Sequence, residues 1–97
     1  MSRDQVLHLL HLALPELRKA YGVKELSLFG SVARDEASPG SDVDILAAFS
    51  VPLTLTAYMG LKADLENRLG AAVDLVTPGA IKPRLLASIE GDLLRVS

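Results

Sequence analysis

The sequence predicts one α/β (α+β) domain over residues 1–97, a mixed β-sheet with helices packed against it. Three observations predict it. Stretches with helical apolar spacing alternate with short apolar and β-branched runs, giving the order αβαβαβαβ. The 97 residues are enough for one core and leave no room for a second domain. Hydrophobic residues make up 49% of the chain and aromatics only 4%, so the core must be built from Leu, Val, Ile and Ala.

Ser2 with Gln5 three residues later is a capping-box pattern, and Val6, Leu10, Ala13, Leu14 and Leu17 follow at helical intervals. The first helix is expected to reach about Ala20 and end at Gly22, with a kink or restart at Pro15, which lacks an N–H. Glu25 to Phe29 reads as a strand, and Gly30-Ser31 as a turn into a short helix through about Ala37. Ser38-Pro39-Gly40-Ser41 has the composition of a loop. The next strand is expected from Asp42 to Phe49. Its period of two places Asp42, Asp44 and Leu46 on one face and Val43, Ile45 and Ala47 on the other. Tyr58, Leu61, Leu65 and Leu69 form the stripe of a second long helix from about Leu53, with Gly70 as its cap. Ala71 to Val76 reads as a strand carrying Asp74. Pro83 opens a helix through about Ile89, and Leu93 to Val96 can add an edge strand.

Composition excludes several classes. Cysteine is absent, which removes disulfides and thiolate metal sites. The start of the chain lacks the layout of a signal peptide, and apolar runs are interrupted long before the roughly 20 residues a bilayer requires. A cytoplasmic protein without a membrane span is the expectation. A net charge of -2 with mixed signs offers no basic stripe for a long nucleic acid, so nucleic acid is not expected as the main substrate.

The informative stretch is Leu28-Phe29-Gly30-Ser31-Val32-Ala33-Arg34, followed by Ser41-Asp42-Val43-Asp44-Ile45. A Gly-Ser at a strand-to-helix turn leaves backbone N–H groups available and allows a phosphate to approach closely, because Gly30 has no Cβ. Two aspartates at i and i+2 on one strand face repel each other unless a divalent cation lies between them. Magnesium completed by triphosphate oxygens fits that demand. Asp74 on a neighbouring strand supplies a third carboxylate, and three such groups can hold two metal ions roughly 3.5–4 Å apart for in-line displacement at phosphorus.

Gly30-Ser31, then Asp42-Val43-Asp44, then Val73-Asp74-Leu75-Val76 resemble the signature of the DNA polymerase beta nucleotidyltransferase superfamily. The pattern is most similar to its minimal nucleotidyltransferases, small proteins paired with HEPN-domain toxins in prokaryotic toxin–antitoxin modules. This resemblance covers nearly the whole chain and extends to Lys82-Pro83-Arg84. It implies a polymerase-beta-like nucleotidyltransferase fold and a protein adenylyltransferase. It also implies metal-ligating and catalytic roles for Asp42, Asp44 and Asp74, and triphosphate binding at Gly30 and Ser31. Arg34 matches an arginine of the motif that either meets phosphate or holds the following loop. The family commonly has Gly after that arginine, where this chain has Asp35. The implied reactants are ATP, two Mg²⁺ ions with Mn²⁺ as the alternative, and an acceptor hydroxyl, expected to be a tyrosine of the HEPN toxin. Two rival readings share the residues: an antitoxin that neutralises its partner by binding alone, and a nucleotidyltransferase acting on a small molecule.

Other residues have plainer readings. His8 and His11, three apart on the first helix, lack a third ligand in sequence and read as a solvated face. Lys82 and Arg84 can reach phosphates, but polar neighbours of a helix-opening proline are ordinary. Leu55 and Met59 lie beside the core stripe of their helix, either as peripheral core or as a patch for a helical partner.

Overall fold

Ser2 starts the first helix as the capping-box pattern requires. Its Oγ accepts from the Gln5 N–H at 3.2 Å, and Gln5 Oε1 accepts from the Ser2 N–H at 2.9 Å. The computed structural model describes residues 2–96, so Met1 and Ser97, the ends of the expected domain, lie outside the described residues. Helix α1 spans Arg3–Tyr21 and buries Val6, Leu10, Ala13, Leu14 and Leu17, the stripe expected from their spacing. It runs through Pro15 without the expected restart. Both Pro15 and His11, whose carbonyl loses its intrahelical donor, are exposed, so water can satisfy that carbonyl. His8 is exposed too, in keeping with a solvated face. Gly22, at φ 73°, ends the helix and donates its N–H to Arg18 O at 3.0 Å.

Strand β1 (Val23–Phe29) begins two residues before the expected Glu25. A register shift between Val23 and Glu25 breaks the alternation there, which hides the start from a period-two reading. Helix α2 is a single turn, Gly30–Ala33, and stops short of Ala37 because Asp35 adopts a left-handed φ of 58°. Strand β2 is Val43–Phe49, so Asp42 stands immediately ahead of it. Helix α3, Leu55–Leu69, starts later than Leu53 because Thr54 caps it, its Oγ1 accepting from the Ala57 N–H at 3.1 Å. Strand β3 is Val73–Val76, helix α4 Pro83–Glu90 and strand β4 Leu94–Arg95, and a 3-10 turn at Pro78–Ala80 precedes α4.

The sheet order is β3-β2-β1-β4, with β2 parallel to β3 and β1 antiparallel to both β2 and β4. It is the mixed sheet the sequence predicts. The core packs Leu26, Leu28, Val43, Ile45, Ala47, Val73 and Leu75 of the sheet against the buried stripes of α1 and of α3, the latter Leu61, Leu65 and Leu69. Polar contacts fasten the two helices together. Tyr21 donates its hydroxyl to Asp64 Oδ2 at 3.0 Å, and Arg68 bridges Asp64 and Glu16, each at 2.6 Å. Leu55 and Met59 are 73% and 61% exposed, which overturns the peripheral-core reading for both. Among the described residues no helix is long and apolar enough to cross a membrane.

Asp35 occupies a left-handed position, at φ 58°, that favours glycine. Its Oδ1 accepts from the Arg3 N–H at 3.3 Å, tying the loop to the start of α1. A β-branched residue is worst suited to that backbone. We therefore expect Asp35→Val to lower unfolding free energy by about 1–2 kcal/mol and Asp35→Gly to change it by less than about 0.5 kcal/mol. Denaturant midpoints of the two variants check this, and equal losses would show that the conformation is not what matters at this position.

Candidate active site

The site is built where the end of β1 meets the start of β2. Antiparallel pairing sets Phe29 opposite Asp44, and parallel pairing sets Asp44 beside Asp74. Because Val43, Ile45, Val73 and Leu75 turn into the core, Asp44 and Asp74 must share the opposite face of the sheet. Asp42, just ahead of β2, is exposed and Asp44 is half-buried.

Beyond Phe29 the chain turns at Gly30, whose φ of 75° favours glycine. A Cβ at Gly30 would overlap Asp44 Oδ2 and lie 3.0 Å from its Cγ, so only glycine lets the turn come this close to the carboxylate. Ser31, partly exposed, follows in the first turn of α2, where backbone N–H groups have no partner within the helix. The structure thus gathers Asp42, Asp44, Asp74 and the Gly30-Ser31 turn at one end of the sheet. Arg34 N–H donates to Gly30 O at 3.1 Å and Glu36 N–H to Ser31 O at 2.8 Å, closing the segment on itself.

Crowding is visible in the electrostatics. Partial burial pushes the Asp44 carboxyl above its ordinary value, and the negative charges of Asp74 and Asp42 and a hydrogen bond with Asp74 push it further in the same direction. The positive charge of Arg34 opposes the rise. Among the described residues no three His, Cys, Asp or Glu side chains form a ready-made metal cage. A magnesium ion needs no complete protein cage, since phosphate oxygens and water supply much of its coordination shell. The donor set of hard oxygens and the excess negative charge fit Mg²⁺ or Mn²⁺.

Several supporting contacts have no local sequence signal. On either side of Asp74, Val73 donates its N–H to Glu66 Oε2 at 3.0 Å, and Leu75 O accepts from the Tyr58 hydroxyl at 2.6 Å. Helix α3 thereby holds the edge strand at both neighbours of the aspartate. Arg34 donates from Nη1 to Asp92 Oδ2 at 2.7 Å and from Nε to Glu36 Oε2 at 3.2 Å. The second role anticipated for Arg34, holding the following loop, is therefore seen directly. Lys82 and Arg84 line a shallow hollow with Pro83 and Leu85 at the start of α4. A larger hollow of about 650 Å³ opens between the 38–41 loop and residues 70–72. Its lining includes Ser41 and Val43 but none of the three aspartates and no charged side chain, so it provides room rather than chemistry.

Comparison with known proteins bears on the family and the fold. The family model for the nucleotidyltransferase domain matches residues 11–96. The chain is 33% identical over 96 residues to the protein adenylyltransferase MntA of Thermococcus cleftensis, covering 99% of this chain and 97% of that protein. A solved structure provisionally described as a minimal nucleotidyltransferase superposes with a TM-score of 0.81 at 35% identity, covering 97% of this chain and 95% of the other. A further likeness, at 20% identity and a TM-score of 0.67, is to a structure of a tri-AMPylated HEPN toxin of Shewanella oneidensis in complex with an MNT antitoxin. It covers 94% of this chain and 71% of that one, and at this distance it speaks to the fold alone.

A carboxyl whose folded value lies above its unfolded one binds extra protons in the folded state. Its contribution to stability is present at low pH and is lost as pH rises from the ordinary carboxylate value through the raised one. In chelator, Asp44→Asn should consequently melt at a higher temperature than wild type at neutral pH, and the advantage should vanish as pH falls through that window. Thermal denaturation against pH measures it. Identical melting temperatures at neutral pH would mean that charge crowding at Asp44 costs no stability.

Proposed function

The chain belongs to the nucleotidyltransferase domain family, among homologues named protein adenylyltransferases, and from that premise we propose that it transfers AMP from ATP to a tyrosine hydroxyl of a HEPN-domain toxin and so acts as its antitoxin. The observation that carries this reading is the in-register pair Asp44 and Asp74, with Asp42 one step away and the Gly30 turn pressed against Asp44. Four groups with those properties at one sheet end are more than a cap or a turn requires.

In the proposed reaction Asp42 and Asp44 hold the divalent ions, with Asp74 as the third ligand. Bound Mg²⁺ supplies charge neutralisation on the triphosphate and activation of the acceptor oxygen. Asp74 orients the acceptor hydroxyl and takes its proton. The hydroxyl oxygen forms a bond to the α-phosphorus, the bond from that phosphorus to the α–β bridging oxygen breaks, and pyrophosphate departs with the electron pair. Gly30 and Ser31 cradle the departing phosphates with backbone N–H groups and the Ser31 hydroxyl, and Arg34 adds positive charge on the same side. We place this activity in the cytoplasm, where ATP and Mg²⁺ are at hand.

In this reading the partner presents the acceptor and docks on an apolar surface of this domain. Leu55 and Met59 are one helical turn apart on α3, and exposed Val51 and Leu53 precede them in the adjoining loop. Such a patch gains by leaving water against an apolar partner surface.

Two experiments test the reading. When the protein is incubated with ATP, Mg²⁺ and the HEPN-domain protein encoded beside it, the partner should gain the mass of AMP at a tyrosine. Because loss of a mere supporting residue around a metal costs about 10- to 100-fold, Asp42→Ala and Asp44→Ala should each reduce transfer by at least about a hundredfold. Transfer that persists in either variant would remove the proposed site. Partner neutralisation without any mass change would leave binding alone as the mechanism, and labelled nucleotide appearing on a small molecule would redirect the acceptor. Separately, Leu55→Glu and Met59→Glu should weaken co-purification with the HEPN protein by about tenfold or more while the folded domain keeps its stability. Asp42→Ala should bind the partner normally. Undiminished capture by both glutamate variants would move the interface to another face.

A further inference from the structure

We propose that Asp92, in the turn that follows α4, is a positioning residue of the nucleotide site, holding Arg34 away from the aspartate cluster and aimed at the incoming triphosphate. This rests on the reading of the site as a nucleotide site and names what organises Arg34 there.

Arg34 stands a single turn beyond Gly30, beside three clustered carboxylates. Left to itself, a long cationic side chain in that position would fold over onto Asp42, Asp44 and Asp74, because their mutual repulsion makes a cation welcome there. The backbone N–H of Arg34 donates to Gly30 O at 3.1 Å, and Gly30 lies directly against the Asp44 carboxylate, so the arginine starts from a backbone position next to the site. An arginine lodged among the aspartates would compete with the metal and be lost to the phosphates. The structure instead supplies Arg34 with two carboxylates of its own. Glu36 lies two residues on and is 67% exposed, so by itself it makes a weak tether. Asp92 differs. Its side chain is 29% exposed, its contact with Arg34 is the shorter one, and it comes from 58 residues away.

The position of Asp92 is itself fixed by the sheet. Its N–H donates to Ile89 O at 2.8 Å, and two residues later β4 begins, pairing Leu94 with Leu28 and Arg95 with Ser27. Strand β1 is the strand that delivers Gly30. Both ends of the Arg34–Asp92 bridge are thus referred to one piece of backbone, so the guanidinium has a defined place relative to the phosphate turn. Each contact engages one edge of the fork, and the remaining N–H donors stay free for phosphate oxygens, which a planar guanidinium is suited to bind.

Titration with α,β-methylene ATP, whose α–β bridge cannot be cleaved, in the presence of Mg²⁺ tests the proposal on the full chain without relying on transfer. Asp92→Ala should weaken binding by about tenfold, and Arg34→Ala by a similar factor. In an Arg34→Ala background, Asp92→Ala should cost nothing further, because the residue it positions is gone. Asp92→Asn keeps one acceptor for the guanidinium and should fall between wild type and Asp92→Ala. Should Asp92→Ala fail to fold, Asp92→Asn alone decides, and wild-type affinity in that variant overturns the proposal. Equal losses from Asp92→Ala with and without Arg34 would show that Asp92 acts through the fold, which also overturns it. Wild-type protein that does not bind the analogue overturns both this proposal and the functional reading. Wild-type binding with unchanged Asp92→Ala affinity overturns the positioning role alone.

Discussion

The arrangement depends on one enforced proximity: the parallel register of β2 and β3 sets Asp44 beside Asp74, with Asp42 immediately ahead of β2. Three like charges at one sheet end are unfavourable in isolation, and the Asp44 carboxyl is raised first by its partial burial and then by the charges of Asp74 and Asp42. What opposes this repulsion is the opposite side of the same residues' neighbours. Val43, Ile45, Val73 and Leu75 are almost fully buried, and each strand can turn its aspartate outward only by sinking these side chains into the aliphatic core. A slip of one residue in either strand would expose the apolar set and bury the carboxylates. The hydrophobic register thus holds the charges where electrostatics alone would separate them.

Much of this was legible because it lies in local periodicity. The alternation from Asp42 to Ala47 predicted which face carries the carboxylates, and α1 buries the five residues its spacing selected. The alternation reads true in β2 because that strand is central and packs on one face. It fails at the start of β1, where a register shift spoils the period. The end of α2 differs from the expectation for another reason: aspartate tolerates the left-handed backbone well enough to take a position that favours glycine, and so gives no stop signal. Pro15 misled because a proline's missing N–H matters less on a wet helix face.

The contacts that brace the candidate site were not legible at all. Glu66 reaches the backbone of Val73 across the turn after α3, Tyr58 reaches Leu75 O, and Asp92 reaches Arg34 across 58 residues. Each is a polar side chain with an ordinary solvated alternative, and no spacing rule connects it to its partner. Motif reasoning finds the groups that face a substrate, because chemistry restricts them to few residue types. It does not find the groups that hold those in place, since many residue types in many places can serve.

The two halves of the candidate site rest on unequal foundations. The carboxylates project from β2 and β3, backed by the core and, for β3, by α3 on either side of Asp74. The tether of Arg34 instead comes from the turn after α4, and α4 buries none of its residues. Helix α4 is held mainly through what precedes and follows it, and β4, only two residues long, is the ladder that secures its far end. Local opening free energies follow packing, so this end of the fold should open more readily than the core strands. The geometry of the carboxylates is then set by folding itself, whereas the placement of the Arg34 side chain depends on a turn that follows a helix with no buried residue. Anything that covers the apolar side of α4, where Leu85 is exposed, would steady Asp92 and with it Arg34.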